Sequence, residues 1–210
     1  GKTFAFGIPI IEHIDPESEA VQAVILAPTR ELAMQITAEM RDLAQFKPGI
    51  RMVCLYGGQP IGKQIDALKK KPQIVVATPG RLGDHMKRRT VRIDSVQTAV
   101  LDEADRMLDM GFIHEVTHLL DVMKKRKNLG LFSATISREV MDIAWVYQRD
   151  PVEITVRADE ENKPDILQYR LEVSMNEKVD TVKKILDLEN YDRVMIFCNT
   201  KGNTERVTKL

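Results

Sequence analysis

The sequence has few aromatic residues and no excess of charge of either sign. Phe, Trp and Tyr make up 5% of its 210 residues, so its core has to be built from Val, Ile, Leu, Ala and Met. Lys plus Arg and Asp plus Glu number 31 each. A chain with zero net charge has no global positive field, so binding to a polyanion would depend on local placement of charge.

Long apolar runs and metal-binding clusters are also missing. No run approaches the roughly 18–20 apolar residues that a membrane span needs, and residues 1–4 do not resemble the start of a secretion signal. Cys54 and Cys198 each lie inside an apolar run, which favours buried reduced thiols over a disulfide. No Cys/His cluster has metal-site spacing. We therefore expect a soluble, cytoplasmic protein without membrane contacts.

Short β-rich segments alternate with longer segments of helical periodicity. We predict strands at residues 21–27, 51–56, 73–77, 96–101, 129–132 and 152–156. Each of the first five is followed by a helical pattern, as in Leu32, Ile36, Met40 and Leu43, which lie on one helix face. Apolar strands separated by helices indicate βαβ units. We therefore predict an α/β fold with a mainly parallel sheet and helices on both faces.

The alternation is interrupted by a polar segment, residues 157–165, which contains Pro164 and is typical of a linker. After it we predict a strand at 167–173, a helix at 177–188, a strand at 193–197 and the start of a further helix. The predicted domains are thus a first α/β domain at 1–156, a linker at 157–165 and the beginning of a second α/β domain at 166–210. So short a second domain would be marginally stable alone, so we expect a longer parent protein.

The first motif with functional groups is Gly1-Lys2-Thr3, followed by a helical pattern at 4–11. Phosphate-binding loops end in Gly-Lys-Ser/Thr at a helix N-terminus, where free amides and the helix dipole favour phosphate. In such loops the lysine reaches the phosphates and the hydroxyl binds Mg²⁺. Only the last three residues of that motif are present, so a chance match stays open.

The second motif places Asp102, Glu103 and Asp105 directly after an apolar strand. Asp102 could hold Mg²⁺ through the water shell of the metal, and Glu103 could polarise an attacking water. A solvated acidic turn is the alternative. Because three carboxylates within four residues repel one another without a cation, and because Gly-Lys-Thr lies upstream, the pair of motifs favours a nucleotide site.

The third motif is Ser133-Ala134-Thr135, at the end of the fifth predicted strand. Its two hydroxyls could bond Asp105 and link the nucleotide site to another part of the protein. They could instead cap the next helix, although Ser137 could fill that role by itself. Taken alone, the motif favours the helix cap.

Further motifs occur in a fixed order along the chain. They are residues 27–32 (Ala-Pro-Thr-Arg-Glu-Leu), 57–58 (Gly-Gly), 78–81 (Thr-Pro-Gly-Arg), 102–105 (Asp-Glu-Ala-Asp), 133–135 (Ser-Ala-Thr) and 196–201 (Ile-Phe-Cys-Asn-Thr-Lys). The ordered set resembles the DEAD-box family of ATP-dependent RNA helicases over essentially the whole chain. The resemblance implies two RecA-like domains, the second incomplete here, that close on ATP and RNA and separate short duplexes.

The resemblance also implies roles for individual residues. Gly1, Lys2 and Thr3 would bind the phosphates of ATP, with Thr3 and Asp102 holding Mg²⁺ partly through water. Glu103, Asp102 and Lys2 would form the catalytic set, with Glu103 as the base or water-positioning residue. Asp105, Ser133 and Thr135 would couple hydrolysis to RNA. The backbone of single-stranded or short duplex RNA would be contacted by Thr29, Arg30, Gly58, Thr78, Gly80 and Arg81.

The proposed RNA-contacting residues also make physical sense, because glycine allows the main chain to approach a phosphate closely and helix N-termini offer free amides. Such contacts read the backbone, so little sequence specificity is expected. For residues 57–58 a tight turn without a binding role stays open as the alternative, and for Arg30 a simple surface charge does.

The basic runs at 69–71, 87–89 and 124–127 are interpreted first as helix ends and second as an RNA path. His114 and His118, one helical turn apart, are interpreted as a solvated face.

Several family motifs lie outside this sequence, namely the adenine-reading glutamine, the front of the phosphate loop and the later arginine fingers. We therefore expect the chain by itself to be catalytically inactive, even where the parent protein is an RNA helicase. Two other functions stay open: a DNA-stimulated translocase built on the same core, and a non-enzymatic scaffold that clamps RNA or a protein partner.

Overall fold

The structure is a computed structural model that describes residues 1–156, 166–188 and 191–209. The chain forms two compact units, Gly1–Glu153 and Ile154–Leu210. The predicted linker at 157–165 lies outside the described residues, so the three predicted domain limits stay predictions.

The first unit is built on a parallel sheet of five strands. They are β1 (Ala23–Leu26), β2 (Met52–Leu55), β3 (Ile74–Ala77), β4 (Thr98–Leu101) and β5 (Asn128–Leu131). Their spatial order is β2-β3-β1-β4-β5, and every neighbouring pair is parallel. The predicted α/β fold and the first five predicted strands are confirmed, each strand being somewhat shorter than its apolar segment.

Seven helices flank this sheet within residues 1–153. They are α1 (Lys2–His13), α2 (Arg30–Ala44), α3 (Ile61–Leu68), α4 (Pro79–Lys87), α5 (Ala104–Asp109), α6 (Ile113–Val122) and α7 (Arg138–Tyr147). Each of the first five strands is followed by a helix, as the periodicity predicted. Parallel neighbours need such crossover connections because their ends lie far apart.

The two faces of the sheet have separate apolar cores. Val24 and Leu26 pack in one cluster with residues of α3 to α7, while Ala23 and Ile25 pack in a second cluster with residues of α1 and α2. The alternation follows from the two-residue period of a strand. Burying each large aliphatic side chain contributes roughly 1.5–3 kcal/mol, so both faces need a helical cover.

Two basic side chains close the ends of helices in this unit. The Lys47 ammonium donates hydrogen bonds to the carbonyls of Ile11, Glu12 and Ile14, at 3.0, 2.8 and 2.7 Å, at the end of α1. The Arg126 guanidinium donates to the carbonyl of Leu120, at 2.8 Å, near the end of α6. Cations suit the carboxyl ends of helices, where carbonyls lack intrahelical partners. The helix-end interpretation of the third basic run is therefore confirmed at Arg126.

The second unit contains helices α8 (Lys178–Leu188) and α9 (Lys201–Thr208), both of which were predicted. The strands predicted at 167–173 and 193–197, and the one at 152–156, are wrong, because those described residues form no strand. A strand persists only where neighbours satisfy its N–H and C=O groups. The apolar side chains of Leu167, Tyr169 and Leu171 are between 62 and 89% exposed, so no sheet covers them.

Cys54, on β2, and Cys198 are free thiols, and both are half-buried, which corrects the expectation of full burial. Burial raises the pKa of the Cys54 thiol above its ordinary value, with smaller opposing effects from Thr37 and Arg41. Among the helices over the described residues, none is both long enough and apolar enough to cross a membrane.

Replacing Lys47 with methionine should lower the free energy of unfolding by about 1–2 kcal/mol, because three carbonyls at the end of α1 lose a charged donor. Urea denaturation of the chain measures the change. Lys63→Met, at an exposed position on α3, is the matched control and should change the free energy by less than about 0.5 kcal/mol. Equal effects of the two substitutions would contradict the capping role.

Candidate functional site

The candidate residues lie at the carboxyl ends of the parallel strands. The chain passes from β1 to β2 and β3 on one side of β1, and then crosses to β4 and β5 on the other side. β1 and β4 are therefore neighbours at a point where the strand order reverses, with Leu26 opposite Leu101. Open α/β sheets bind ligands at such switch points, outside the carboxyl ends of the strands.

The structure brings the Gly-Lys-Thr and Asp-Glu-Ala-Asp motifs together. Gly1 is the N-cap residue of α1, and Lys2 Nζ lies 3.5 Å from Asp102 Oδ1. The side chain of Asp102 is 4% exposed, whereas that of Lys2 is 56% exposed. A buried carboxylate requires a cationic or hydrogen-bonding partner. Asp102 has both, since its Oδ1 also accepts a hydrogen bond of 3.0 Å from the Glu103 N–H.

Glu103 stands at a strained turn between β4 and α5. Its backbone is left-handed, with φ 51° and ψ 52°, a conformation that costs a residue with a side chain on the order of 1 kcal/mol or more and that concentrates at functional sites. Its carboxylate lies 3.2 Å from Arg106 Nη1. The three acidic side chains of this motif thus have different partners, which relieves the mutual repulsion expected from the sequence.

Asp105 is hydrogen-bonded to the Ser-Ala-Thr motif. Its Oδ2 accepts hydrogen bonds from the Thr135 N–H at 2.9 Å and the Thr135 hydroxyl at 2.8 Å. The Asp105 N–H donates to Ser133 Oγ at 3.2 Å, and that hydroxyl donates to the Thr135 carbonyl at 2.7 Å. Burial raises the pKa of the Asp105 carboxyl, but the hydrogen bonds, led by those of Thr135, outweigh it and the pKa is lowered.

The helix-cap interpretation of Ser133 and Thr135 is wrong. Ser137 is the N-cap residue of α7, and its hydroxyl accepts a hydrogen bond from the Val140 N–H. The two earlier hydroxyls are therefore available to Asp105. Because β5 pairs with β4, the ends of the two strands lie side by side, and the network links them beyond the last pair of the ladder.

Thr3 has a different neighbour from the one expected of a metal-binding hydroxyl. It is buried in the first turn of α1, and hydrogen bonds from Gln35 and then Thr3 lower the pKa of Glu39 on α2. The structure therefore places the Thr3 hydroxyl beside Glu39 on α2.

The Asp102 carboxylate at the end of β4 suits a metal ion that takes its other ligands from phosphates and water. Over the described residues, no group of three or more His, Cys, Asp or Glu side chains could hold a metal ion by itself. Mg²⁺ is usually bound by one or two carboxylates together with phosphates and waters. The buried Asp102 carboxylate beside a lysine fits that arrangement. His114 and His118, on α6, are exposed or nearly so and take no part in it.

A second group of candidate residues follows β1 and β2. Thr29 is the N-cap residue of α2, and its hydroxyl accepts a hydrogen bond from the Leu32 N–H at 3.3 Å. The Arg30 guanidinium lies 5.8 Å from the centre of the Tyr56 ring. Gly58 has a φ of +86°, and a Cβ at that position would lie 3.5 Å from Arg30 Nη1. The structure thus brings Arg30 and Gly58 together.

The third strand of this group, β3, leads into Thr78, which is the N-cap residue of α4 without a capping side-chain hydrogen bond. A Cβ at Gly80 would meet nothing within 4 Å, so the main chain there is open to a ligand. Arg81 Nη1 donates to the Gln59 carbonyl at 3.0 Å and to Gln64 Oε1 at 3.2 Å. Because β2, β3 and β1 are neighbours, these three turns lie along one edge of the sheet.

Three further residues in contact with this second group were not predicted from the sequence. Tyr56 supports Arg30, while Gln64 and His85 are buried and lie in the hydrogen-bond network of Arg81. The sequence does contain a signal for Gln64 and His85. Gln64 precedes Leu68 by four residues and His85 follows Leu82 by three, so each is a polar residue on the apolar face of a helix.

Comparison with known proteins identifies the family. A model of the DEAD/DEAH box helicase family matches residues 1–143. The chain is 44% identical over 209 residues to the DEAD-box ATP-dependent RNA helicase CshA of Bacillus licheniformis, a match that covers all of this chain and 43% of the relative. The CshA of Bacillus subtilis is 43% identical, with 42% of its length covered. The chain thus spans less than half the length of these curated relatives.

Two solved structures have a similar fold. A DEAD box protein from the hyperthermophile Methanococcus jannaschii is 37% identical, with a TM-score of 0.70 over all of this chain and 55% of that one. A hypothetical ATP-dependent RNA helicase from Sulfolobus tokodaii is 29% identical, with a TM-score of 0.68 and 59% of its chain covered. The predicted RecA-like α/β fold is thereby confirmed. Since the family model matches well over half of its residues, the chain belongs to the DEAD/DEAH box helicase family.

Proposed function

We propose that the protein containing this chain is an ATP-dependent RNA helicase. It hydrolyses ATP in response to RNA and uses the cycle to separate short RNA duplexes and to remodel RNA–protein complexes. The observation that carries the proposal is the pairing of Lys2 with a buried Asp102 beside the Asp105–Thr135 network. This arrangement joins a phosphate-binding lysine to a polar link between two strands. The curated relatives at 44 and 43% identity are named DEAD-box ATP-dependent RNA helicases, which supports the proposal.

The nucleotide site comprises Gly1, Lys2, Thr3 and Asp102. Lys2 binds the phosphates of ATP, and the amides at the start of α1 favour the same anion. Mg²⁺, when bound with ATP, would neutralise charge on the phosphates, and Asp102 would hold it, partly through water. Thr3 would join Asp102 as a ligand once its hydroxyl turns away from Glu39. The exposed ammonium of Lys2 and the buried carboxylate of Asp102 support this division of roles.

Glu103 orients or deprotonates the attacking water. It follows Asp102 directly, and its left-handed backbone turns the chain from β4 into α5 at the carboxyl edge of the sheet. Asp105, Ser133 and Thr135 couple hydrolysis to RNA, because the hydrogen bonds that join them connect β4 to the segment that leads into α7.

The RNA surface comprises Thr29, Arg30, Gly58, Thr78, Gly80 and Arg81. Two arginines, an open main chain at Gly80 and the N-termini of α2 and α4 together suit the sugar–phosphate backbone. Single-stranded or short duplex RNA is the partner, bound with little sequence preference. We also propose domains at 1–156 and 166–210 joined by a linker at 157–165, and a cytoplasmic location.

Replacing Glu103 with glutamine should lower RNA-stimulated ATP turnover by about 10²–10⁴-fold with ATP binding retained, because the amide cannot accept a proton. Phosphate release by the full-length protein, with and without single-stranded RNA, measures the effect. Glu115→Gln, at an exposed position on α6, is the matched control and should behave like the wild type. Turnover by Glu103→Gln at the wild-type rate would exclude the proposed role.

The same assay separates the alternative functions. Equal stimulation by single-stranded DNA and RNA would favour a translocase, because only RNA offers the 2′-hydroxyl. Binding of ATP and RNA without any turnover by the wild-type protein would favour a scaffold.

Replacing Thr135 with valine should uncouple hydrolysis from unwinding. The substitution removes the hydroxyl bond to Asp105 but keeps the main-chain bond. We expect ATP turnover to stay within a few-fold, while the number of duplexes separated per ATP falls by about tenfold, which is an ordinary size for a coupling free energy. Thr117→Val, on α6, removes a hydroxyl that bonds only within its own helix and is the control. An unchanged ratio of unwinding to hydrolysis would contradict the coupling role.

A further inference from the structure

Gln64, on α3, is the centre of a buried hydrogen-bond network that no motif of the sequence indicated. Its side-chain nitrogen donates to the Tyr56 carbonyl at 2.9 Å and to Gln59 Oε1 at 2.8 Å. Its side-chain oxygen lies 2.9 Å from His85 Nε2 and accepts from Arg81 Nη1 at 3.2 Å. The residue is 2% exposed. Two donors and two acceptor sites are the full capacity of a glutamine amide, and all four are used.

The chemistry of the neighbours determines the orientation of this amide. The Tyr56 carbonyl can only accept a hydrogen bond, and the Arg81 guanidinium can only donate, so the nitrogen of Gln64 faces the former and its oxygen faces the latter. His85 Nε2 therefore carries a hydrogen. His85 Nδ1 lies 2.8 Å from Thr90 Oγ1, and the Thr90 hydroxyl donates to the His85 carbonyl at 3.0 Å. In a neutral ring the one hydrogen is therefore on Nε2. Burial lowers the pKa of His85, and the charge of Arg81 lowers it further, which favours this neutral form.

The network joins two of the three turns of the RNA surface. Its Tyr56 and Gln59 ends lie on the turn between β2 and α3, on either side of Gly57 and Gly58, whereas Arg81 and His85 lie on α4. The ring of Tyr56 in turn supports Arg30 from the third turn. A single amide thus relates the positions of Arg30, Gly58 and Arg81.

Over the part of the chain that the structure describes, the hydrogen-bond partners of Arg81 are uncharged. Its Nη1 is held by a main-chain carbonyl and an amide oxygen, and its Nε is buried with no partner over the described residues. A carboxylate would hold a guanidinium more strongly, but it would also cancel the positive charge. Neutral acceptors keep the group in place and leave its charge for an anion.

We propose that Gln64 and His85 are positioning residues that set the spacing between two RNA phosphate contacts, one on the turn at residues 57–58 and one at Arg81. The inference rests on the proposed function and deepens it. Turns are mobile unless they are held, and ordering them when RNA binds would weaken the affinity. A buried network orders both turns during folding, so RNA meets a preformed surface.

The test compares Gln64→Met, which keeps the length of the side chain and removes all four hydrogen bonds, with the wild type in the full-length protein. The probe is a labelled single-stranded oligouridylate, bound in the presence of a non-hydrolysable ATP analogue at several salt concentrations. We expect the Kd for RNA to rise by about tenfold. The slope of log affinity against log salt should become shallower by about 0.7, the value for one lost phosphate contact on a single strand. Affinity for the ATP analogue should change less than about twofold.

A merely structural role would lower stability without these effects on binding. Gln148→Met is the matched control, because Gln148 also donates to a main-chain carbonyl, that of Leu129, outside the network. It should leave both the RNA Kd and the salt slope unchanged. Gln64→Glu is the charge test. The carboxylate can still accept from Arg81 and His85, but it loses the two bonds that the amide nitrogen donates to Tyr56 and Gln59. RNA binding should therefore be weaker than in Gln64→Met, because the charge of Arg81 is cancelled as well, and binding equal to that of Gln64→Met would contradict the argument from neutral partners.

Variants of His85 provide an independent test should Gln64→Met fail to fold. His85→Leu fills the cavity but removes the donor to Gln64, whereas the amide of His85→Gln can restore it. We expect RNA affinity to fall in the first variant and to recover, at least in part, in the second. Unchanged RNA affinity and salt slope in folded Gln64→Met or His85→Leu would overturn the positioning role.

Failure of the proposed function gives a different result. In that case the wild-type protein would not bind the oligouridylate, or Arg81→Met would bind it as tightly as the wild type does. The positioning role fails by itself when Arg81→Met weakens RNA binding and the Gln64 and His85 variants do not.

Discussion

The parallel pairing of β1 with β4 is the constraint on which the site depends. It places the end of the strand that follows α1 beside the end of the strand that leads into the acidic motif, with Leu26 opposite Leu101. Strand order reverses at this pair, which is where an open α/β sheet leaves a crevice outside the carboxyl ends of its strands. Lys2 and the buried carboxylate of Asp102 meet there, although they lie 100 positions apart in the sequence. Side chains that follow β4 and β5 lie along one half of this edge, and side chains that follow β2, β3 and β1 lie along the other half.

Almost every polar group that this sheet buries at its carboxyl edge has a specific partner. Asp102 pairs with Lys2, Asp105 is held by Ser133 and Thr135, and Gln64 fills all of its hydrogen-bonding positions. Such groups are expensive to leave unsatisfied, so each network selects one arrangement of its turns. The aliphatic cores on both faces of the sheet stabilise the fold, and the polar networks at its carboxyl edge fix the positions of the turns. This division explains how a chain with few aromatic residues and no net charge holds two charged surfaces.

Electrostatics differs between the two halves of the edge. Where a nucleotide would bind, opposite charges are already paired, as in Lys2 with Asp102 and Arg106 with Glu103. Where a nucleic acid would bind, Arg81 is held by uncharged acceptors and Arg30 lies over an aromatic ring, with Glu31 at 3.5 Å as its only acidic partner over the described residues. Local choice of partners therefore creates a site for anions in a chain whose positive and negative residues are equal in number.

The amino-acid sequence by itself determined the alternation of strands and helices in the first unit, because apolar periodicity and turn residues are local properties that the fold had no reason to override. It also determined where the Gly-Lys-Thr, Asp-Glu-Ala-Asp and Thr-Pro-Gly-Arg motifs lie along the chain. Tertiary structure decided the partners. Taken alone, the motif at 133–135 favoured a helix cap, whereas the family resemblance favoured a link to Asp105. The adjacency of β4 and β5 decided for Asp105, and Thr3 lies against Glu39 on α2. Tertiary structure also decided that 152–156, 167–173 and 193–197 are not strands, since a strand needs a neighbour that local sequence cannot specify.

Gln64 and His85 were visible in the sequence only as polar residues on apolar helix faces. Their shared hydrogen bond joins residues 21 positions apart, and only the packing of α3 beside α4 could reveal it.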